Sequence, residues 1–334
     1  MKQAPEQQGL YDPSTEHDAC GLGFVAHMKG QKSHKIIDDA LTILRNLIHR
    51  GACGCEENTG DGVGILIQKP HKFFQRVCAE INIDLPDTDS YGAGMVFLPT
   101  DAAQAKQCQE IFERIIKEED QQLLGWREVP TDDSSLGPTA VDGEPSFKQI
   151  FIAKSEALDS AAFDRKLYVI RKRAENEIWN SGLSEQNMFY VPSLSYRTFV
   201  YKGMLTGSQI EPMFPELSEP DVESALALVH QRFSTNTFPA WRLAHPFRYV
   251  AHNGEINTAR GNANWMRARE ALCESELFGD DLKKLFPICI EGGSDSATFD
   301  NVMEFLHMSG RPLPHAVLMM IPEAWSGHET MDDE

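Results

Sequence analysis

The cysteine at position 20 has the surroundings of a possible nucleophile. Cys20 follows nineteen mostly polar residues and directly precedes the glycine-rich, strand-like segment "GLGF" at 21–24. A lone cysteine in a buried strand is usually unreactive. Cleavage of the Ala19–Cys20 bond would give this residue a free α-amine with a pKa of about 7.7 to 8.0, which can act as a general base. The position therefore predicts an amine–thiol nucleophile that is exposed by removal of residues 1–19.

An Asn-Gly pair could bind a developing negative charge. Asn253-Gly254 follows the apolar segment 247–251, and such a pair is most often only a tight turn. The side-chain amide of Asn253 and the backbone N–H of Gly254 are also two donors that can point at one oxyanion. The pair gains this second interpretation only in the company of a nucleophile.

Two charged residues could bind the two ends of an amino acid. Arg232 lies at the end of an apolar segment, and a guanidinium is the side chain best shaped to bind a carboxylate through two hydrogen bonds. Thr235, within the polar loop 234–237, adds a further hydrogen-bonding group. Asp295 lies in a glycine-rich loop and could bind an ammonium group. Each of these residues alone could equally be structural.

Three other motifs predict no chemistry. Cys53-Gly-Cys55 has no second cysteine or histidine pair at the spacing of a zinc site, so we interpret it as a loop and predict no metal. The segment 59–64 has glycines but lacks the Lys-Ser/Thr ending of a phosphate-binding loop. The eleven histidines form no HExxH motif or comparable cluster.

Composition limits the class of protein. The 334 residues include 31 basic and 50 acidic side chains, and the net charge of −19 argues against nucleic acid or an anionic membrane as the main partner. No apolar run approaches the roughly 20 residues that span a bilayer. Residues 1–19 lack the apolar core of a secretory signal and read as a flexible leader. Seven unevenly spaced cysteines favour a reducing cytoplasm over a disulfide framework.

Periodicity predicts short strands in runs with helices between them. We expect helices near 36–48, 101–119, 160–179, 257–270 and 295–306, the last with Ser294 or Asp295 as N-cap. Strands are expected near 20–28, 59–68, 93–100, 123–130, 147–153, 225–231 and 247–251, with two more broken near Pro192. The segment 131–146 is expected to be a surface loop. This order predicts an α+β fold with antiparallel sheets.

Five segments together resemble one family. They are CGLGF (20–24), LIHRGA (47–52), TGDGVGIL (59–66), HQRFSTNTFPAWRLAHPFRYVAHNGEINT (230–258) and GGSDSATFDN (292–301). They resemble the amidotransferase domain at the amino end of glutamate synthase large chains, within the class II, N-terminal-nucleophile glutamine amidotransferases. His245 departs from this pattern, which has a glutamine at that position.

The resemblance implies a role for each candidate residue. Cys20 would be the nucleophile, and Asn253 with Gly254 would form the oxyanion hole. Four further residues would form the substrate-binding site. Arg232 would bind the α-carboxylate, Asp295 would bind the α-ammonium group, and Arg50 would support the cysteine terminus. Thr235 is the fourth.

The resemblance also implies a fold and a reaction. The fold would be the four-layer αββα sandwich of N-terminal nucleophile hydrolases, incomplete at the C-terminus, with a leader at 1–19 and the amidotransferase domain at 20–334. The reaction would be hydrolysis of L-glutamine to L-glutamate and ammonia in the cytoplasm. In the full-length enzyme, synthase domains of the same polypeptide carry FMN and an iron–sulfur cluster and transfer the ammonia to 2-oxoglutarate. A small electron-donating subunit or ferredoxin would be the partner.

Two alternatives stay open. The domain could serve another acceptor, as amidotransferases of amino-sugar, purine or asparagine synthesis do. It could also be a non-catalytic interaction module whose leader is never removed, in which case the Cys20 nitrogen is an amide and cannot act as a base.

Overall fold

Two antiparallel sheets form the centre of the fold. The computed structural model describes residues 21–54, 56–232, 237–254 and 256–321. One sheet has the strand order β1-β8-β2-β7 and the other the order β4-β5-β3-β6. The strands are β1 (Leu22–Ala26), β2 (Val63–Gln68), β3 (Tyr91–Leu98), β4 (Gln122–Glu128), β5 (Ser146–Ala153), β6 (Tyr190–Ser195), β7 (Thr198–Gly203) and β8 (Leu226–Gln231).

Helices pack against both sheets. Within the described residues they are α1 (Lys35–Asn46), α2 (His71–Ala79), α3 (Ala102–Glu118), α4 (Pro138–Asp142), α5 (Ser160–Trp179), α6 (Ile210–Met213), α7 (Ala259–Glu270), α8 (Asp295–Met308) and α9 (Leu313–Met320). No helix in this part of the chain combines the length and the apolar composition needed to cross a bilayer. The prediction of mixed helix and antiparallel sheet is confirmed, whereas the stacking into four layers remains a prediction.

Helix α5 shows how the sequence determines these elements. Asp159 caps its first turn by accepting a hydrogen bond of 2.7 Å from the backbone N–H of Ala162. Phe163, Leu167 and Ile170 then recur at helical spacing and are buried against α3 and the sheet that contains β5. Each such side chain contributes about 1.5 to 3 kcal/mol through removal of its apolar surface from water. The predicted span 160–179 is therefore the observed one.

Three local predictions were wrong. Pro192 lies inside β6 and does not break it, because β6 is the last strand of its sheet and its register with β3 shifts between Met95 and Phe97. The expected loop 131–146 contains the short helix α4. Residues 247–251 form no strand, because the carboxylate of Asp300 accepts hydrogen bonds from their backbone N–H groups, at 2.8 Å from Tyr249 and 3.1 Å from Val250.

Candidate active site

Strand β8 carries Arg232 to its C-terminal end, between β1 and β2. The backbone N–H of Arg232 donates to the carbonyl of Gly62 over 2.8 Å, and its own carbonyl accepts from the N–H of Ala52 over 3.3 Å. These bonds attach the residue after β8 to the loop before β2 and to the segment after α1. The position of Arg232 is therefore fixed through the main chain.

The guanidinium of Arg232 is buried and only partly satisfied. The residue is 7% exposed, and its Nη2 donates to Thr237 Oγ1 over 2.7 Å. Its Nη1 is buried without a hydrogen-bond partner among the described residues. Burial lowers the pKa of Arg232, while the carboxylates of Asp61 and Asp295 act in the opposite direction. A buried cation with an open donor is suited to bind an anion.

The first residue after position 20 lies against Asn253. The carbonyl of Gly21 accepts a hydrogen bond of 2.6 Å from the N–H of Gln231, where β1 begins beside β8. A Cβ atom placed on Gly21 would lie 2.4 Å from the carbonyl oxygen of Gln231 and 3.4 Å from Asn253 Oδ1. Cys20, the predicted nucleophile, lies outside the described residues, but its chain neighbour is at the Asn253 side chain.

Asn253 and Gly254 are exposed at this point. Asn253 Oδ1 is 2.8 Å from His230 Nε2, and its Nδ2 donates no hydrogen bond within the part of the chain that the structure describes. A Cβ on Gly254 would have only His252 Nδ1, at 3.8 Å, within 4 Å. Asn253 Nδ2 is therefore available to donate, and Gly254 is open on the side where a side chain would project.

Asp295 is the first residue of α8. Ser294 is the N-cap of this helix and accepts from the N–H of Ala297 over 3.1 Å, so the first of the two predicted caps is the observed one. The Asp295 carboxylate accepts from the N–H of Ile256 over 3.2 Å and from the N–H of Ser296 over 2.7 Å. The bond from Ile256 joins α8 to the loop that follows Gly254, and Asp295 lines a cavity of about 380 Å³ between α7, α8 and the end of α9.

Arg50 is connected to the site through the two residues that follow it. Arg50 is exposed and ends a single turn of 3-10 helix, Ile48–Arg50. The next two residues border the site, since Ala52 bonds to Arg232 and a Cβ on Gly51 would lie 2.1 Å from Gln231 Nε2. Thr235 lies outside the described residues.

Sequence reasoning assigned no role to three histidines at this site. His230 stacks on His245 with ring centroids 4.4 Å apart, and the ring of His252 lies 5.5 Å from that of His245. Burial lowers the pKa of His230 to about 4 and that of His245 well below its ordinary value, so both rings are neutral near pH 7. The only signal in the sequence was their occurrence within the 230–258 segment, because no spacing rule relates them.

The arrangement suits acyl-transfer chemistry on a small zwitterion. Arg232 offers an open cationic donor at the end of β8, Asp295 is a carboxylate that acts on the pKa of Arg232, and the exposed Asn253 lies next to Gly21 at the start of β1. Within the described ranges, no group of three or more His, Cys, Asp or Glu residues is placed to hold a metal ion.

Known proteins share this sequence over almost its full length. The family model Glutamine amidotransferases class-II matches residues 20–334. The NADPH glutamate synthase large chain of Bacillus subtilis (strain 168) is 48% identical over 99% of this chain and 22% of its own length. The NADH glutamate synthase of Saccharomyces cerevisiae is 46% identical over 99% of this chain and 16% of its own. The ferredoxin-dependent glutamate synthase of Pyropia yezoensis is 41% identical over 93% and 20%, respectively.

The chain thus spans about a fifth of the length of the curated relatives it matches. The match to the family itself extends from the predicted nucleophile to the last residue. The chain belongs to the class-II glutamine amidotransferases.

Proposed function

We propose that this chain carries out the glutaminase half-reaction of a glutamate synthase, in which L-glutamine and water give L-glutamate and ammonia. The observation that carries the proposal is the buried Arg232 guanidinium, whose Nη1 has no partner in the described ranges. The Asp295 carboxylate is close enough to act on its pKa. A cation and an anion so placed complement the carboxylate and ammonium groups of a free amino acid.

The chemistry begins with removal of residues 1–19, which leaves residues 20–334 as the amidotransferase domain. The α-amine of Cys20 takes the proton of its own thiol, and Sγ attacks the side-chain amide carbon of glutamine. The resulting oxyanion accepts hydrogen bonds from the Asn253 side chain and the Gly254 N–H. The protonated amine then gives its proton to the leaving nitrogen, so that ammonia departs and a γ-glutamyl thioester remains. Water attacks this thioester and releases glutamate.

The remaining predicted residues hold the reactants. Arg232 binds the α-carboxylate and Asp295 the α-ammonium group, so that the amide carbon of glutamine faces the start of β1. Thr235 adds a hydrogen bond from the loop that follows Arg232. Arg50 supports the free terminus of Cys20, and Ala52, two residues further along the chain, is bonded to Arg232.

In the full-length enzyme, ammonia passes to synthase domains that form a second glutamate from 2-oxoglutarate. FMN and an iron–sulfur cluster would be held by those domains and would supply the electrons for this reductive step. A small electron-donating subunit or ferredoxin would be the partner, and the enzyme would be cytoplasmic. The names of the relatives, which include NADPH, NADH and ferredoxin-dependent glutamate synthases, support this assignment.

Intact mass and ammonia release together test the proposal. We expect the purified wild type to have lost residues 1–19 and to release ammonia from glutamine. Cys20→Ala should abolish this release, and Cys273→Ala, a change of a half-buried thiol after α7, should preserve it. Full-rate hydrolysis by protein that keeps its leader would contradict the mechanism. An intact leader with no hydrolysis would favour a non-catalytic interaction module instead.

A further inference from the structure

The imidazole of His230 contacts the predicted oxyanion hole from inside the sheet. His230 is the penultimate residue of β8 and is 2% exposed. Its Nε2 lies 2.8 Å from Asn253 Oδ1 and 3.0 Å from the backbone carbonyl oxygen of His252. Its Nδ1 is buried and has no hydrogen-bond partner among the described residues.

The two neighbours of Nε2 determine which nitrogen carries the proton. A backbone carbonyl can only accept a hydrogen bond, so the 3.0 Å contact with His252 requires a proton on Nε2. A neutral imidazole has a single N–H, which leaves Nδ1 unprotonated. The absence of a described partner for Nδ1 agrees with this tautomer, because a buried N–H without an acceptor is more costly than an unused lone pair.

This tautomer in turn determines the orientation of the Asn253 amide. An amide turned by 180° would place its own NH₂ group against the Nε2–H of His230, donor against donor. The carbonyl oxygen of the amide must therefore face His230, and Nδ2 must face away from it. Nδ2 then faces away from the His230 ring, with both of its N–H bonds unused in the described part of the chain.

The imidazole of His230 also stays neutral near pH 7. It stacks on His245, which is 3% exposed, and burial lowers the pKa of His230 to about 4. The Nε2–H donor is consequently present at every pH at which the protein would hydrolyse an amide by the amine–thiol route.

We infer that His230 is a positioning residue, whose Nε2–H holds the Asn253 side chain with its amide N–H directed at the oxyanion. This inference rests on the proposed function, since Asn253 has an oxyanion to bind only if Cys20 attacks an amide. His230 itself touches neither substrate nor nucleophile. Its loss should therefore lower kcat and leave KM, which depends on Arg232 and Asp295, nearly unchanged.

Two variants separate the donor from the shape of the ring. His230→Phe keeps a flat ring against His245 and removes the donor, and we expect kcat to fall about tenfold. This loss of kcat should stay below the loss caused by deleting an oxyanion donor outright, which is about 10²- to 10³-fold. His230→Gln can place an N–H near the position of Nε2 and should recover kcat to within about threefold of wild type. A kcat of His230→Phe equal to that of wild type would overturn the inference.

A double-mutant cycle tests whether His230 acts through Asn253. In an Asn253→Ala background, His230→Phe should cause no further loss of kcat, because the group that it positions is gone. An undiminished tenfold loss in that background would overturn the inference, since it would show an effect that bypasses Asn253. Thermal unfolding of all variants identifies any that fail to fold.

A spectroscopic measurement on the wild type needs neither folded variants nor activity. The ¹⁵N chemical shifts of the His230 ring should show a protonated Nε2 and an unprotonated Nδ1 between pH 5 and pH 8. The opposite tautomer, or a doubly protonated ring, would overturn the inference even if glutamine were hydrolysed. A processed wild type that releases no ammonia would instead contradict the proposed function, and the ring shifts would still decide the orientation of Asn253.

Discussion

Replacement of Arg232 by lysine should weaken glutamine binding far more than it slows the chemical step. The guanidinium uses Nη2 to bond Thr237 and retains Nη1 for a ligand. A lysine has a single nitrogen on a flexible stem, which cannot reproduce both bonds in this geometry. We therefore expect Arg232→Lys to lose about one charge-assisted hydrogen bond to the substrate carboxylate.

The size of the effect follows from the burial of the site. A hydrogen bond to a charged group contributes about 1.5 to 3 kcal/mol, which corresponds to a rise in KM of about 10- to 150-fold. Steady-state measurement of ammonia release gives KM and kcat separately. Arg45→Lys is the matched control, because Arg45 bonds the carboxylate of Glu211 on an exposed surface, where the same exchange should leave KM unchanged.

A truncated substrate makes the test specific to the carboxylate. The amide 4-aminobutanamide is glutamine without its α-carboxylate, so the wild type should hydrolyse it with a much higher KM than glutamine. In Arg232→Lys the two KM values should move close together. A variant that keeps the wild-type preference for glutamine, or a KM for glutamine that does not change, would refute the assignment of Arg232.

Three further predictions concern the main chain, acid stability and the ammonium site. Gly21→Ala would place a Cβ 2.4 Å from the carbonyl oxygen of Gln231 and should lower the unfolding temperature and abolish ammonia release. Gly54→Ala is the control and should do neither, because a Cβ on Gly54 would have no atom within 4 Å. His230 has a pKa of about 4 in the folded protein against about 6.5 in the unfolded chain, so its contribution of about 3 kcal/mol to the free energy of unfolding should be complete above pH 6.5 and lost as the pH falls to 4. Urea unfolding of wild type and His230→Gln at pH 7 and pH 5 measures this contribution. Equal losses of stability in the two proteins between these pH values would contradict it. Asp295→Asn should raise KM for glutamine about tenfold with a smaller change in kcat, because a neutral amide binds an ammonium group less tightly than a carboxylate does; steady-state kinetics measure this, and an unchanged KM would refute the role.

Sequence reasoning succeeded where short-range chemistry determines the outcome. The boundaries of α5 follow from a cap at Asp159 and a regular apolar stripe, and both are visible in the sequence. The side-chain types of Arg232 and Asp295 predict a carboxylate ligand and an ammonium ligand, and these roles remain predictions, with the two charges close enough to interact electrostatically.

It failed where a distant residue competes for the backbone. Residues 247–251 have the aromatic and β-branched pattern of a strand, yet the Asp300 carboxylate, about fifty positions away, takes the N–H groups that a strand would have used. His230 was missed for a related reason, since its role depends on a contact with Asn253 that arises only when β8 and the later loop are folded together. Neither partner can be inferred from spacing along the chain.

The activity of the protein depends on the register in which β8 pairs with β1 and β2. Side chains alternate between the two faces of a strand, so His230 and Arg232 lie on one side and Gln231 points to the other. On that other side, a Cβ on Gly207 would lie 2.4 Å from Gln231 Oε1. A slip of β8 by one residue would bring Gln231 to the position of Arg232 and remove the cation from the site. Misaligned molecules could keep much of their secondary structure and yet bind no amino acid. The fraction of refolded protein that recovers glutamine binding should therefore report the fraction with the correct register, which circular dichroism alone would not distinguish.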